Sequence, residues 1–202
     1  MSRQHSNAQD LEPKKRIVLT GSECTGKTRL VQALAEHFGC PCSQEAARAY
    51  LDKKGAPLNR QDIEPIARQQ IALEDTAASQ PGSLVIHDTD LLSTMIYAQH
   101  YYHYCPDWII ETAQSRARGL YLLCDSDLPW IPDGLQRDQG LHHQRSQIQA
   151  LFVTVLRKTG QHWLTIGGLG QVRTLSAIAT IENFLDSAIS THSNIDSQSR
   201  DN

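Results

Sequence analysis

Apolar and polar positions alternate in blocks along the chain. Short apolar runs occupy 17–20, 84–87, 120–124 and 163–166, with a weaker one at 41–44. Stretches with helical spacing of apolar residues fall near 27–38, 45–53, 60–79, 90–103, 107–117, 144–159 and 171–188. The run Ile17-Val18-Leu19 is the unbroken, β-branched kind that suits a strand covered on both faces. Leu30, Val31, Leu34, Ala35 and Phe38 then recur at helical spacing, and Gly39 stands where a C-cap glycine belongs. In 60–79, Asn59 or Asp62 can cap, while Ile63, Ile66, Ala67, Gln70 and Ile71 lie near one stripe. Strands alternating with helices predict an α/β fold: three layers, with a parallel five-stranded sheet between helices. Ligands of such sheets bind beyond the carboxyl ends of the strands, so the residues there bear on function.

The first strand end is the most informative. Gly21-Ser22-Glu23-Cys24-Thr25-Gly26-Lys27-Thr28 matches G-x-x-x-x-G-K-[ST] between a strand and a helix. Main-chain N–H groups of such a loop converge on a polyphosphate, and the helix N-terminus adds a positive dipole end. Lys27 is placed to reach the β- and γ-phosphates and Thr28 to hold Mg²⁺. ATP and Mg²⁺ are therefore the expected cofactors, although nothing in the sequence separates ATP from GTP.

The other strand ends add candidates. Glu45 and Arg48, three residues apart on one helix face, either serve an acceptor substrate or form a surface pair. In the first case Glu45 orients or deprotonates a hydroxyl and Arg48 binds phosphate or substrate. Asp88 ends an apolar run as a second Mg²⁺-coordinating carboxylate does beside a P-loop, and is also a candidate base. Asp90 either contacts substrate or caps the next helix. After the fourth strand, about twenty residues rich in proline, glycine and acidic side chains precede the next helix, which suggests a lid. Arg137 and Arg145 are its arginines, and either can stabilise charge on a transferring phosphoryl group. Arg173, after the last strand, either contacts the nucleotide base or phosphate or belongs to a plain strand-to-helix turn. Tyr97, Tyr101, Tyr102 and Tyr104, with Trp108, offer either an aromatic floor for a base or ordinary packing.

Composition narrows the setting. The 202 residues carry a net charge of -3, with 40% hydrophobic and 20% charged residues, an ordinary balance for a soluble domain. That balance argues against a broad nucleic-acid or anionic-membrane partner. No run reaches the roughly 20 apolar residues of a membrane span, and the polar start shows no signal peptide. Five cysteines, with only Cys40 and Cys42 close together, fit reduced thiols in the cytoplasm better than a zinc framework. Residues 1–13 and 190–202 are expected to be disordered tails around a domain at 14–189.

Taken together, four segments resemble the ribosylnicotinamide kinase domain of the bacterial NadR family of NAD-biosynthesis proteins. They are Gly21 to Thr28, Glu45-x-x-Arg48, Asp88-Thr89-Asp90 with Thr94 beyond, and Asp127-Leu128-Pro129-Trp130-Ile131-Pro132-Asp133-Gly134. The resemblance implies a P-loop NTPase fold of the nucleoside and nucleotide kinase type. It implies transfer of the ATP γ-phosphate to the 5′-hydroxyl of nicotinamide riboside, with a small-molecule nucleoside as partner. It also implies that Trp130 and Asp133 join Glu45, Arg48, Asp88 and Asp90 around that acceptor. The alternatives are a kinase for another small acceptor and a regulatory ATPase or GTPase without acceptor activity. Family members also carry an adenylyltransferase domain and some a helix-turn-helix; these residues are expected to hold the kinase module alone. Two positions depart from the pattern. Gln136, followed by Arg137, stands where some relatives have arginine, and His87 precedes Asp88 where an apolar residue is common.

Overall fold

Five parallel strands form one sheet in the order β2-β3-β1-β4-β5 in the computed structural model, which describes residues 14–129 and 142–198. They are β1 (Lys15–Thr20), β2 (Cys42–Ser43), β3 (Leu84–Asp88), β4 (Leu120–Cys124) and β5 (His162–Ile166). The helices are α1 (Lys27–Phe38), α2 (Ala46–Lys54), α3 (Ile63–Ser79), α4 (Leu91–Tyr102), α5 (Asp107–Arg116), α6 (His142–Lys158) and α7 (Gly170–Gln198). The fold is the P-loop α/β arrangement that the pattern predicts. None of these helices is long and apolar enough to cross a membrane.

Strand alternation divides the core between two faces. Ile17 and Leu19 of β1, with Leu120, Leu122 and Cys124 of β4, pack under α1 and α7 against Leu30, Leu34, Ala177 and Ile181. Val18, Tyr121 and Leu123 point the other way, into α3 to α6, against Ala67, Met95, Ile109 and Phe152. Helix ends follow local chemistry. Gly39 closes α1 at φ 58°, and Asn59 and Asp62 form a capping box at a short 3-10 turn that precedes α3. The last helix passes its expected end at 188, because no glycine or proline follows Gly170 to stop it.

The α3–α6 face also encloses charge. Arg16 of β1 donates to Glu74 at 3.3 Å and to Asp90 at 3.1 Å, with all three side chains buried. Tyr121 donates to Asp90 at 2.6 Å, and Arg116 to Glu74 at 3.2 Å. Burial, with Asp90 nearby, pushes the Glu74 carboxyl upward, while Arg16 and Arg116 oppose that shift.

Two residues generate direct tests. Gly21 leaves β1 at φ 123°, and a Cβ there would lie 2.8 Å from the Cys124 carbonyl oxygen. Gly21→Ala is expected to cost on the order of 3 kcal/mol, or about 6–12 °C in Tm for a chain of this size. An unchanged melting curve would contradict the close approach. His87 is buried in β3, with Nδ1 2.8 Å from Ser43 Oγ. Burial first, then the charges of Arg16, Arg116 and Arg118, lower its pKa to about 3. An unfolded imidazole protonates near 6.5, so below that pH the unfolded chain binds a proton that the folded chain refuses. Stability therefore declines as pH falls through 6.5 towards the folded value. Denaturant melts at pH 7 and pH 5 should show His87→Asn losing about 2 kcal/mol less than the wild type. Equal losses in both proteins would count against a neutral buried ring.

Candidate active site

The site forms where the strand order reverses, at the carboxyl ends of β1 and β3. In their register Leu19 pairs with Asp88, so the loop after β1 and the end of β3 are neighbours. Thr28, in the first turn of α1, donates from Oγ1 to Asp88 Oδ2 at 2.6 Å. The second carboxylate oxygen, Oδ1, is buried with no hydrogen-bond partner. Burial first, then the nearby Glu45 charge, raises the Asp88 pKa, while the Thr28 hydroxyl, Lys27 and Arg48 pull it down. Glu45, Arg48, Lys27 and Thr28 therefore all act on one carboxylate, from the starts of α1 and α2.

The loop itself is tightly made. Gly26 precedes α1 at φ 75°, and Cys24 also sits at positive φ, 54°. Thr25 Oγ1 donates to the Ser22 carbonyl at 2.9 Å, and the buried Ser22 hydroxyl has no partner. Lys27 Nζ folds over the loop, 3.2 Å from Gly21 O and 2.8 Å from Ser22 O. Tyr97 donates to Gly21 O at 3.3 Å and Tyr101 to Glu23 at 3.4 Å, and their rings stack 6.0 Å apart. Those two tyrosines brace the loop from α4.

The donor set fits Mg²⁺ with a polyphosphate. It offers a hydroxyl and a carboxylate with a buried unpartnered oxygen, hard ligands of the kind Mg²⁺ takes. Among the described residues no three His, Cys, Asp or Glu side chains cluster as a metal cage. Beside the loop runs a groove of about 360 Å³, bounded by Arg29 and Ala33 of α1, Leu128, and Gln171 and Thr174 of α7.

Several expectations are corrected. Asp90 does not face the loop with Asp88. Thr89, between them, takes φ 64°, which breaks the strand alternation that would have put both carboxylates on one side. Asp90 instead caps α4 through Ser93 N and is held by Arg16 and Tyr121. Arg173, which also lines that groove, spends its buried guanidinium within the protein: it donates to Gly168 O, Thr25 O and Asp125 O and pairs with Asp127. It tethers the P-loop to the loops after β4 and β5. Arg145 belongs to α6 rather than to the lid, and donates to Leu128 O at 3.1 Å and to the P-loop carbonyl of Cys24 at 3.4 Å. Trp130, Asp133 and Arg137 lie outside the described residues.

Sequence reasoning passed over Gln149. Its Oε1 accepts from Ser22 N at 3.1 Å and its Nε2 donates to Cys124 O at 3.0 Å, joining α6 to the P-loop and β4. Its signal was a glutamine next to Ile148 on the buried side of a helix.

Comparison with known proteins agrees with this fold. The Escherichia coli (strain K12) protein named trifunctional NAD biosynthesis/regulator protein NadR is 25% identical over 154 residues, 74% of this chain and 37% of its own length. The protein of that name from Salmonella typhimurium (strain LT2) is 26% identical over 146 residues, 70% of this chain and 35% of its own. The chain thus spans little more than a third of these relatives. Among solved structures, a NadR protein in complex with NR superposes with TM-score 0.68 at 23% identity, over 85% of this chain and 52% of that one. A NadR protein with NAD and AMP-PNP gives 0.70 at 21%, over 85% and 49%. Thymidylate kinase from Ehrlichia chaffeensis gives 0.57 at 15%, over 84% and 98%. A family model described as an AAA domain matches residues 16–173, from β1 to the start of α7. The chain belongs to that AAA domain family, and its P-loop domain is NadR-like.

Proposed function

We propose that this protein is an ATP-dependent kinase that phosphorylates nicotinamide riboside at its 5′-hydroxyl. The observation that carries the reading is the contact of 2.6 Å between Thr28 of the P-loop and Asp88 of the neighbouring strand, with Glu45 close enough to raise the Asp88 pKa. P-loop ATPases and GTPases share the threonine–aspartate pair, so the added carboxylate of Glu45, a group able to take a proton from an acceptor hydroxyl, is what favours a kinase. The similarity to NadR proteins supports the choice of acceptor.

Lys27 and the loop amides hold the phosphates of ATP, and its base lies in the groove between α1 and α7. Thr28 and Asp88 hold Mg²⁺, which when bound neutralises phosphate charge. Asp88 is engaged by Thr28, so Glu45 takes the proton from the acceptor hydroxyl as that oxygen bonds to the γ-phosphorus and ADP leaves. Arg48 orients the acceptor. Arg145, already against the loop, stabilises charge on the phosphoryl group. Positioning and electrostatics dominate the barrier reduction in such transfers.

The test is ADP release with Mg²⁺ and ATP, with nicotinamide riboside, with a panel of other nucleosides, and without acceptor. Release dependent on nicotinamide riboside is expected, and Lys27→Ala or Asp88→Asn should each lower kcat/KM by about 10²-fold or more. Turnover only with another nucleoside would reassign the acceptor. Tight nucleotide binding with acceptor-independent hydrolysis would replace the kinase by a nucleotide-driven regulator.

A further inference from the structure

One turn of α3 ties together the starts of two other helices. Gln70 Oε1 accepts at 3.0 Å from Ala46 N, the first amide of α2, directly after Glu45. Gln70 Nε2 donates at 3.3 Å to Glu74 Oε1, which also accepts from Leu91 N, the first amide of α4, at 2.9 Å. Gln70 is 1% exposed and Glu74 2%. Rotating the glutamine would set its NH₂ against the buried Ala46 N–H and its oxygen against the buried Glu74 carboxylate. Glu74 cannot yield either, since its other oxygen is taken by Arg16 and Arg116.

The bridge runs from the element that carries Glu45 to the one that follows Asp88. The other anchors of α2 lie along the helix rather than at the Glu45 amide end: Leu51 is buried, and Tyr50 and Lys54 pair with Asp62. The strand before the helix has two residues, joined to β3 partly by the Ser43–His87 hydrogen bond, and α2 has no side-chain N-cap bond. We propose that Gln70 is a positioning residue for Glu45, fixing the start of α2 so that the Glu45 carboxylate stands beside Asp88. This inference rests on the kinase reading, in which Glu45 is the proton acceptor. Gln70 touches neither substrate nor metal in it and acts only through α2.

A double-mutant cycle tests it on the full chain, with kcat for acceptor-dependent ADP release and KM for Mg²⁺·ATP as readouts. Gln70→Met keeps the bulk and removes the acceptor oxygen. It should lower kcat by roughly 10- to 100-fold, the cost of a misplacement of about 1 Å, with the KM for ATP within about twofold. In a Glu45→Gln background the same substitution should add less than about threefold, because the group it positions is already gone. Gln70→Asn, with its amide withdrawn by one methylene, asks the same question should the methionine variant not fold. Equal losses with and without Glu45, a matching rise in the KM for ATP, or wild-type kcat would overturn the inference. A wild-type protein that phosphorylates no nucleoside would sink the kinase reading itself, whereas an active wild type with additive variants sinks only the role of Gln70.

Discussion

The pairing of β1 with β3 is the constraint on which the rest depends. Parallel register sets Leu19 opposite Asp88, so the loop leaving one strand and the carboxylate ending the next must meet at the same edge of the sheet. The strand order reverses around β1, and at such a reversal the connections diverge and leave a crevice. Chemistry gathers there because the backbone has already gathered it. The Thr28–Asp88 hydrogen bond reports the closeness, and a slip of one residue would turn Asp88 to the other face.

Charge buried behind the sheet serves a different end. Arg16, Glu74, Asp90 and Arg116 pair two cations with two carboxylates, and Tyr121, Gln70 and two main-chain amides take up further lone pairs. Such groups gain little over an apolar core of the same shape, yet removing one member leaves its partners stranded. Their effect is specific rather than large. They allow few arrangements of α3, α4 and β1, where an oily interface would tolerate many.

Much of this was legible in the chain. All five strands and the first helix follow from blocks of apolar residues, because a strand covered on both faces and a helix covered on one leave different periods. The phosphate loop was legible because its glycines answer to backbone geometry, which a short motif records. Asp90 kept two readings, substrate contact or helix cap, and the cap follows from a turn at Thr89 that only a backbone angle reveals. Arg173 stayed open in the sequence because an arginine beside a nucleotide loop can hold the loop as readily as the ligand. Gln70 stood in plain view within the apolar stripe Ile63, Ile66, Ala67 and Ile71, and a lone amide in such a stripe signals a buried hydrogen-bond partner. Which partner it meets is a matter of contacts distant in sequence, and no local pattern encodes them.

Thr89 has a wider consequence. A β-branched residue in the left-handed region costs about 1–3 kcal/mol, and here that cost separates two adjacent acids into different worlds. One accepts from the P-loop threonine, the other from an arginine and a phenol behind the sheet. Evolution can therefore retune the ionisation of the first without unsettling the anchor of α4, and can repack the anchor without disturbing the carboxylate beside the P-loop.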